Sequence, residues 1–177
     1  QNYNKYFIII LMDNKKLKII IVGIFVLGLL NCILLYKYVG DKKAERFYRQ
    51  GVEFYKNEKY SDAYYNFKQI KPLTAFYLAS LIKEYQCAML LNDKKTALSR
   101  LDILTKIVQD DNIKPYVLYN ETLLAKETNT DSKAVSYKKF KKIMALYPKS
   151  DYGIASAYRA AKLIEEKDKQ EARDLYI

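Results

Sequence analysis

Residues 57–63 read NEKYSDA, and this short polar turn closing on alanine returns as NDKKTA at 92–97, NTDSKA at 129–134 and KDKQEA at 167–172. The closing alanines, Ala63, Ala97, Ala134 and Ala172, are spaced by 34, 37 and 38 residues. Each turn lies between stretches whose apolar residues recur at three and four, and which are long enough for helices. The repeating unit is therefore a helix–turn–helix pair of about 34 residues, and a pair of that size needs neighbours to cover its apolar face.

The first unit is the clearest. Residues 44–72 read AERFYRQGVEFYKNEKYSDAYYNFKQIKP. In its first helix Phe47, Gly51 and Phe54 make one apolar stripe, with Gly51 at the place where a second helix can come close. In its second helix Tyr60, Ala63, Phe67 and Ile70 share a face, so small Ala63 is expected opposite small Gly51, with aromatic rings filling the space around them. Pro72 and Pro115 are expected at first helical positions, and Ser150 or Asp151 as the cap of a helix opening at Tyr152.

This arrangement resembles a tetratricopeptide repeat: Phe47, Gly51, Phe54, Ala63, Phe67 and Ile70 match its large and small positions, and Pro72 its terminal proline. The second unit keeps Ala97, Leu101 and Leu104 but has Tyr85 in place of Gly51. The third carries AVSYKKFKKIMALYP with its Pro148, and the fourth keeps Ala160, Ala172 and Tyr176. The resemblance covers residues 44–177 and implies a protein-binding array without catalysis. It also implies that the first helix of each pair faces the ligand, which points to Tyr48, Tyr55 and Lys56, and to Gln86 and Met89 in the second unit. Aromatic plates beside a cation suit an extended peptide or a chain terminus. The array is expected to be truncated at its C-terminal end, since it stops without a polar capping helix.

From Ile19 to Tyr36 the chain carries eighteen residues without a charge, IIIVGIFVLGLLNCILLY, bracketed by Lys15, Lys16 and Lys18 before and by Lys37, Lys42 and Lys43 after. At about 1.5 Å per residue this is just long enough to cross a bilayer core of about 30 Å. Residues 17–38 are read as a transmembrane helix or retained signal anchor, because no small-x-small cleavage site follows. The tetrapeptide at residues 29–32, LLNC, resembles a bacterial lipobox. It departs from that pattern, because Asn31 stands where a small residue is expected and the apolar run continues past Cys32. Residues 1–16 are a tail, of which 1–11 are expected to be a gene-calling extension ahead of Met12, and 39–43 are a linker. A short basic tail ahead of a first apolar helix stays in the cytoplasm as a rule, which puts the repeats outside a bacterial inner membrane.

Composition removes much of the remaining chemistry. Histidine is absent and the two cysteines, Cys32 and Cys87, stand alone, which leaves no zinc cluster, no Ser-His dyad and no disulfide framework. No cofactor or metal is expected. The net charge of +11 raises nucleic acid as a partner. Seven basic residues flank the apolar segment, however, and beyond Lys43 there are 24 basic against 18 acidic residues spread over several helices. The dense run Lys138, Lys139, Lys141 and Lys142 is read as a solvated helix face opposite Phe140, Ile143, Met144 and Tyr147.

The expected architecture is thus all-α: an N-terminal transmembrane helix, then an α-solenoid of about four tetratricopeptide-like pairs. The expected role is a membrane-anchored protein-interaction module of the cell envelope, with a protein or peptide partner. A second expectation comes from residues 147–152, YPKSDY, and 157–161, AYRAA. These are similar to the helical superhelix that precedes the catalytic domain of soluble lytic transglycosylases. Adjacent Glu165 and Glu166 point in different directions on a helix and cannot share a glycosidic bond, so that activity would have to lie beyond residue 177.

Overall fold

Residues 14–176 are described by the computed structural model, and every regular element among them is an α-helix. The eight helices are α1 (Asn14–Lys56), α2 (Tyr60–Lys68), α3 (Tyr77–Leu90), α4 (Lys94–Ile107), α5 (Lys114–Glu127), α6 (Lys133–Leu146), α7 (Asp151–Ile164) and α8 (Lys169–Tyr176). Most of the tail expected at 1–16, including the proposed extension at 1–11, lies outside the described residues, as does Ile177.

Chain packing separates Gln1–Lys43 from Ala44–Ile177. In the first unit, α1 carries the apolar segment and is long and apolar enough to cross a membrane. Its large side chains from Ile19 to Leu35 are all exposed to the surroundings, which in water would be unfavourable at about 25 cal/mol per Å². Residues 39–43, assigned above to a linker, are helical and belong to α1.

In the second unit the turns after α1, α3 and α5 have one construction. After α1, Glu58 N–H donates to the Tyr55 carbonyl (3.1 Å) and Lys59 N–H to the Phe54 carbonyl (2.9 Å). After α3, Asn92 donates to Met89 (3.1 Å) and Asp93 to Ala88 (2.8 Å); after α5, Asn129 donates to Lys126 (3.1 Å) and Thr130 to Ala125 (2.8 Å). These are Schellman closures, and they require a left-handed residue after the helix. Glu58, Asn92 and Asn129 adopt it, with φ of 59°, 57° and 55°. The turn after α7 is built differently, with Lys167 and Asp168 both donating to Ile164.

Each turn leads into a second helix whose fourth residue is small and buried. Ala63, Ala97 and Ala172 hold that place, and their amides donate to Lys59, Asp93 and Asp168. In the third pair the residue there is Ser136, donating to Ser132, and Ala134 is exposed. The expectation that Ala134 belongs with the other three is corrected for a simple reason. The turn between α5 and α6, residues 128–132, is two residues longer than 57–59 and 91–93, so the helix starts later and Ala134 falls in its first turn. Four residues beyond the small position come buried Phe67, Leu101 and Phe140, and three further on buried Ile70, Leu104 and Ile143. Spacings of four and three keep these side chains on one face, where they form three connected cores.

Three further details differ from expectation. Pro115 does lie in the first turn of α5, whereas Pro72 sits in the loop before α3, next to Leu73 at φ 71°. Gly51 is pressed by the Phe67 ring, to which a Cβ would come within 2.7 Å, rather than by Ala63. In the lysine run, Lys138 and Lys142 are exposed as expected, but Lys139 reaches Asp131 (2.7 Å) and Glu121 (3.0 Å), and Lys141 reaches Glu171 (2.8 Å). Capping follows the sequence more closely: Ser150 Oγ accepts from Gly153 N–H (2.9 Å), with α7 opening at Asp151.

Successive helices pack on one another from α2 to α8, and α5 also touches α7. Several hydrogen bonds between them join residues roughly one unit apart in sequence. Arg100 donates to Tyr64 OH across 36 residues, Tyr85 to Asn120 across 35, Tyr137 to Glu171 across 34 and Arg159 to Tyr119 across 40. Arg100 Nε also lies 2.7 Å from the nearly buried Glu84 carboxylate, which joins α2, α3 and α4.

Candidate functional site

The first helices of the pairs carry a run of half-buried tyrosines that meets from α1 to α7. On α1, Tyr55 stacks edge-on against Tyr60 (5.5 Å between centroids), and Lys83 Nζ of α3 lies over its ring at 4.5 Å. Lys83 then donates to Gln86 Oε1 (3.0 Å), and the Gln86 amide draws the pKa of the Tyr116 phenol of α5 downward against the effect of burial. Tyr85 lies beneath this strip, its ring 6.4 Å from Tyr116 and its hydroxyl donating to Asn120 Oδ1 (3.2 Å). Tyr152 of α7 packs between Tyr116 (5.3 Å) and Tyr119 (5.6 Å), and Arg159 Nε donates to Tyr119 OH (3.2 Å).

The order follows from the repeat. An aromatic one unit further on lands on the first helix of the next pair, so rings at matching places meet edge to face, the arrangement their quadrupoles favour. Burial, the largest cause, raises the Tyr85 phenol well above its ordinary value. It also raises Tyr116, partly offset by the bond with Gln86. Both hydroxyls therefore stay protonated at neutral pH and offer donors as well as acceptors. With Lys83 and Arg159 at either end, the strip presents ring faces, amides and hydroxyls between two cations.

No protein-family model and no curated protein matches the chain.

Of the residues singled out from sequence, Tyr55 and Gln86 belong to this strip. Tyr48 does not: its ring packs on Phe67 (5.6 Å) and Phe76 (5.3 Å), so it serves the core between α1, α2 and the loop before α3. Lys56 and Met89 are exposed at the ends of α1 and α3, with no tie to the strip among the described residues. Sequence reasoning did not single out Tyr116, Tyr119, Asn120, Tyr152 and Arg159, because it carried the ligand-facing positions no further than the second unit, where it passed over Lys83 in favour of Gln86 and Met89. Tyr116 and Tyr152, 36 residues apart, were the available signal.

Among the described residues nothing nucleophilic stands out beside the strip. Cys87 is fully buried in the first core, and burial pushes its thiol up to about 11, which leaves it a packing residue. Glu165 and Glu166 are exposed at the end of α7, with Glu166 3.9 Å from Lys133. Among the described residues no group of His, Cys, Asp and Glu could hold a metal ion.

Proposed function

We propose that this chain is a membrane-anchored binding module. In this reading the apolar part of α1 spans a bacterial inner membrane, the region from Ala44 onward is a tetratricopeptide-like solenoid on the extracytoplasmic side, and the tyrosine strip receives an extended segment of a partner protein. The module performs no catalysis of its own. Two observations support the solenoid: the Schellman turns recur at the unit spacing, and several cross-helix hydrogen bonds join residues about one unit apart.

The observation that carries the function is the strip itself, which runs across the first helices of the four pairs. Ring faces bind an extended backbone and its apolar side chains with little loss of side-chain entropy, and the amides and phenol hydroxyls pair with backbone groups. Lys83 and Arg159 favour a segment carrying acidic residues.

A peptide-display selection against the full chain in detergent micelles tests this. Enriched sequences should be extended and acidic. Their binding should weaken at least tenfold in Lys83→Glu/Arg159→Glu and be unaffected by Lys138→Glu/Lys142→Glu on α6. Equal binding by both double variants would remove the strip from the function.

A further inference from the structure

We propose that the apolar segment of α1 associates with the same segment of a second copy of this chain through Asn31. The inference rests on the membrane-spanning reading above. Between Ile19 and Leu35, Asn31 is the one side chain with strong hydrogen-bonding groups. It lies about 5 Å along the helix from the middle of the uncharged segment, well inside a core of about 15 Å half-thickness.

Its Nδ2 donates to the Leu27 carbonyl one turn back (3.0 Å). The second N–H and the Oδ1 acceptor have no partner among the described residues. In water this costs nothing, but in hydrocarbon an unpaired amide is unfavourable, and only another polar group at the same depth relieves it. Among the described residues the chain has one helix able to span, so that group must come from another molecule.

A carboxamide is donor and acceptor at once, which makes it complementary to itself. A second copy inserted in the same direction places its own Asn31 at the same depth. The seam this implies is regular: Ile24, Gly28, Asn31 and Leu35 follow at four, three and four residues, the spacing of two helices that wind around each other. Gly28 sits one turn from Asn31 with open space where a Cβ would be, so a second backbone can approach there. Asn31 thus fixes the register of a parallel pair, and Gly28 sets its closeness.

The test uses the full chain, labelled at its N-terminal amine with donor or acceptor dye and reconstituted in phosphatidylcholine vesicles. Retention after a carbonate wash is measured first, and a chain released by the wash would overturn the spanning reading itself. For the retained chain, energy transfer should fall as lipid is added. Asn31→Leu should need about threefold to thirtyfold more protein per lipid for the same transfer. Asn31→Gln, which keeps the carboxamide, should restore most of the association, and Gly28→Leu should weaken it. A retained chain in which Asn31→Leu transfers as the unmodified protein does, or in which neither transfers, would overturn the inference while leaving the anchor intact.

Discussion

In the first pair Gly51 meets the Phe67 ring, with Ala63 one turn before it on α2, whereas in the third Thr122, Phe140 and Ser136 hold the corresponding places on α5 and α6. Glu58 takes the left-handed turn position in one and Asn129 in the other. What the two pairs share is geometry: a Schellman closure, a small residue four into the second helix and a phenylalanine four further on. The difference teaches that the fold is specified by size and spacing, while residue identity at any one place is free to change.

Phe67→Ala and Phe140→Ala break both pairs at the same point. Both rings are fully buried, so each variant should lose about 3–5 kcal/mol in denaturant unfolding, and to a similar extent if the positions are equivalent. A loss confined to Phe67 would show that the third pair is not built like the first.

The joint between neighbouring pairs comes next. Arg100→Ala leaves the Glu84 carboxylate buried without its cation and should cost about 3 kcal/mol at neutral pH. Burial already lifts the Glu84 carboxyl above 4.5, with Arg100 opposing, and without Arg100 the lift grows. The folded state then binds the proton more readily than the unfolded one. The deficit should therefore shrink as pH falls through the raised folded-state value toward 4.5, as followed by thermal unfolding across pH.

Smaller changes sharpen the comparison. Ser136 Oγ is buried with no hydrogen-bond partner, so Ser136→Ala should stabilise by about 1 kcal/mol, and the mirror change Ala63→Ser should destabilise by about as much. Ala134→Glu, at the exposed alanine first counted with the others, should stay within about 0.5 kcal/mol of the unmodified protein. Smallest of all, Glu58→Asn should gain about 0.5 kcal/mol by giving the first turn the residue that the second and third already use.

How much was legible in the sequence divides along the same lines. The helical pairs could be read because alanine, phenylalanine and leucine recur at fixed steps, and the apolar segment because eighteen uncharged residues admit few other environments. Ala134 misled because a recurring letter was counted in place of a recurring position, and the two extra residues in its turn carry no signal of their own. Tyr48 differs in another way: it sits at the edge of the core, and only the neighbouring Phe76, far off in sequence, shows that its ring packs away from the strip. The strip stayed hidden because its parts come from four helices and are joined by cross-helix contacts that no local pattern reports.

The most direct test of the strip as the binding surface is hydrogen–deuterium exchange of the full chain in micelles, with and without a selected acidic peptide. Peptide should slow exchange in the C-terminal part of α1 and in α3, α5 and α7, leaving α4, α6 and α8 unchanged. Slowing confined to α4, α6 or α8 would contradict the account.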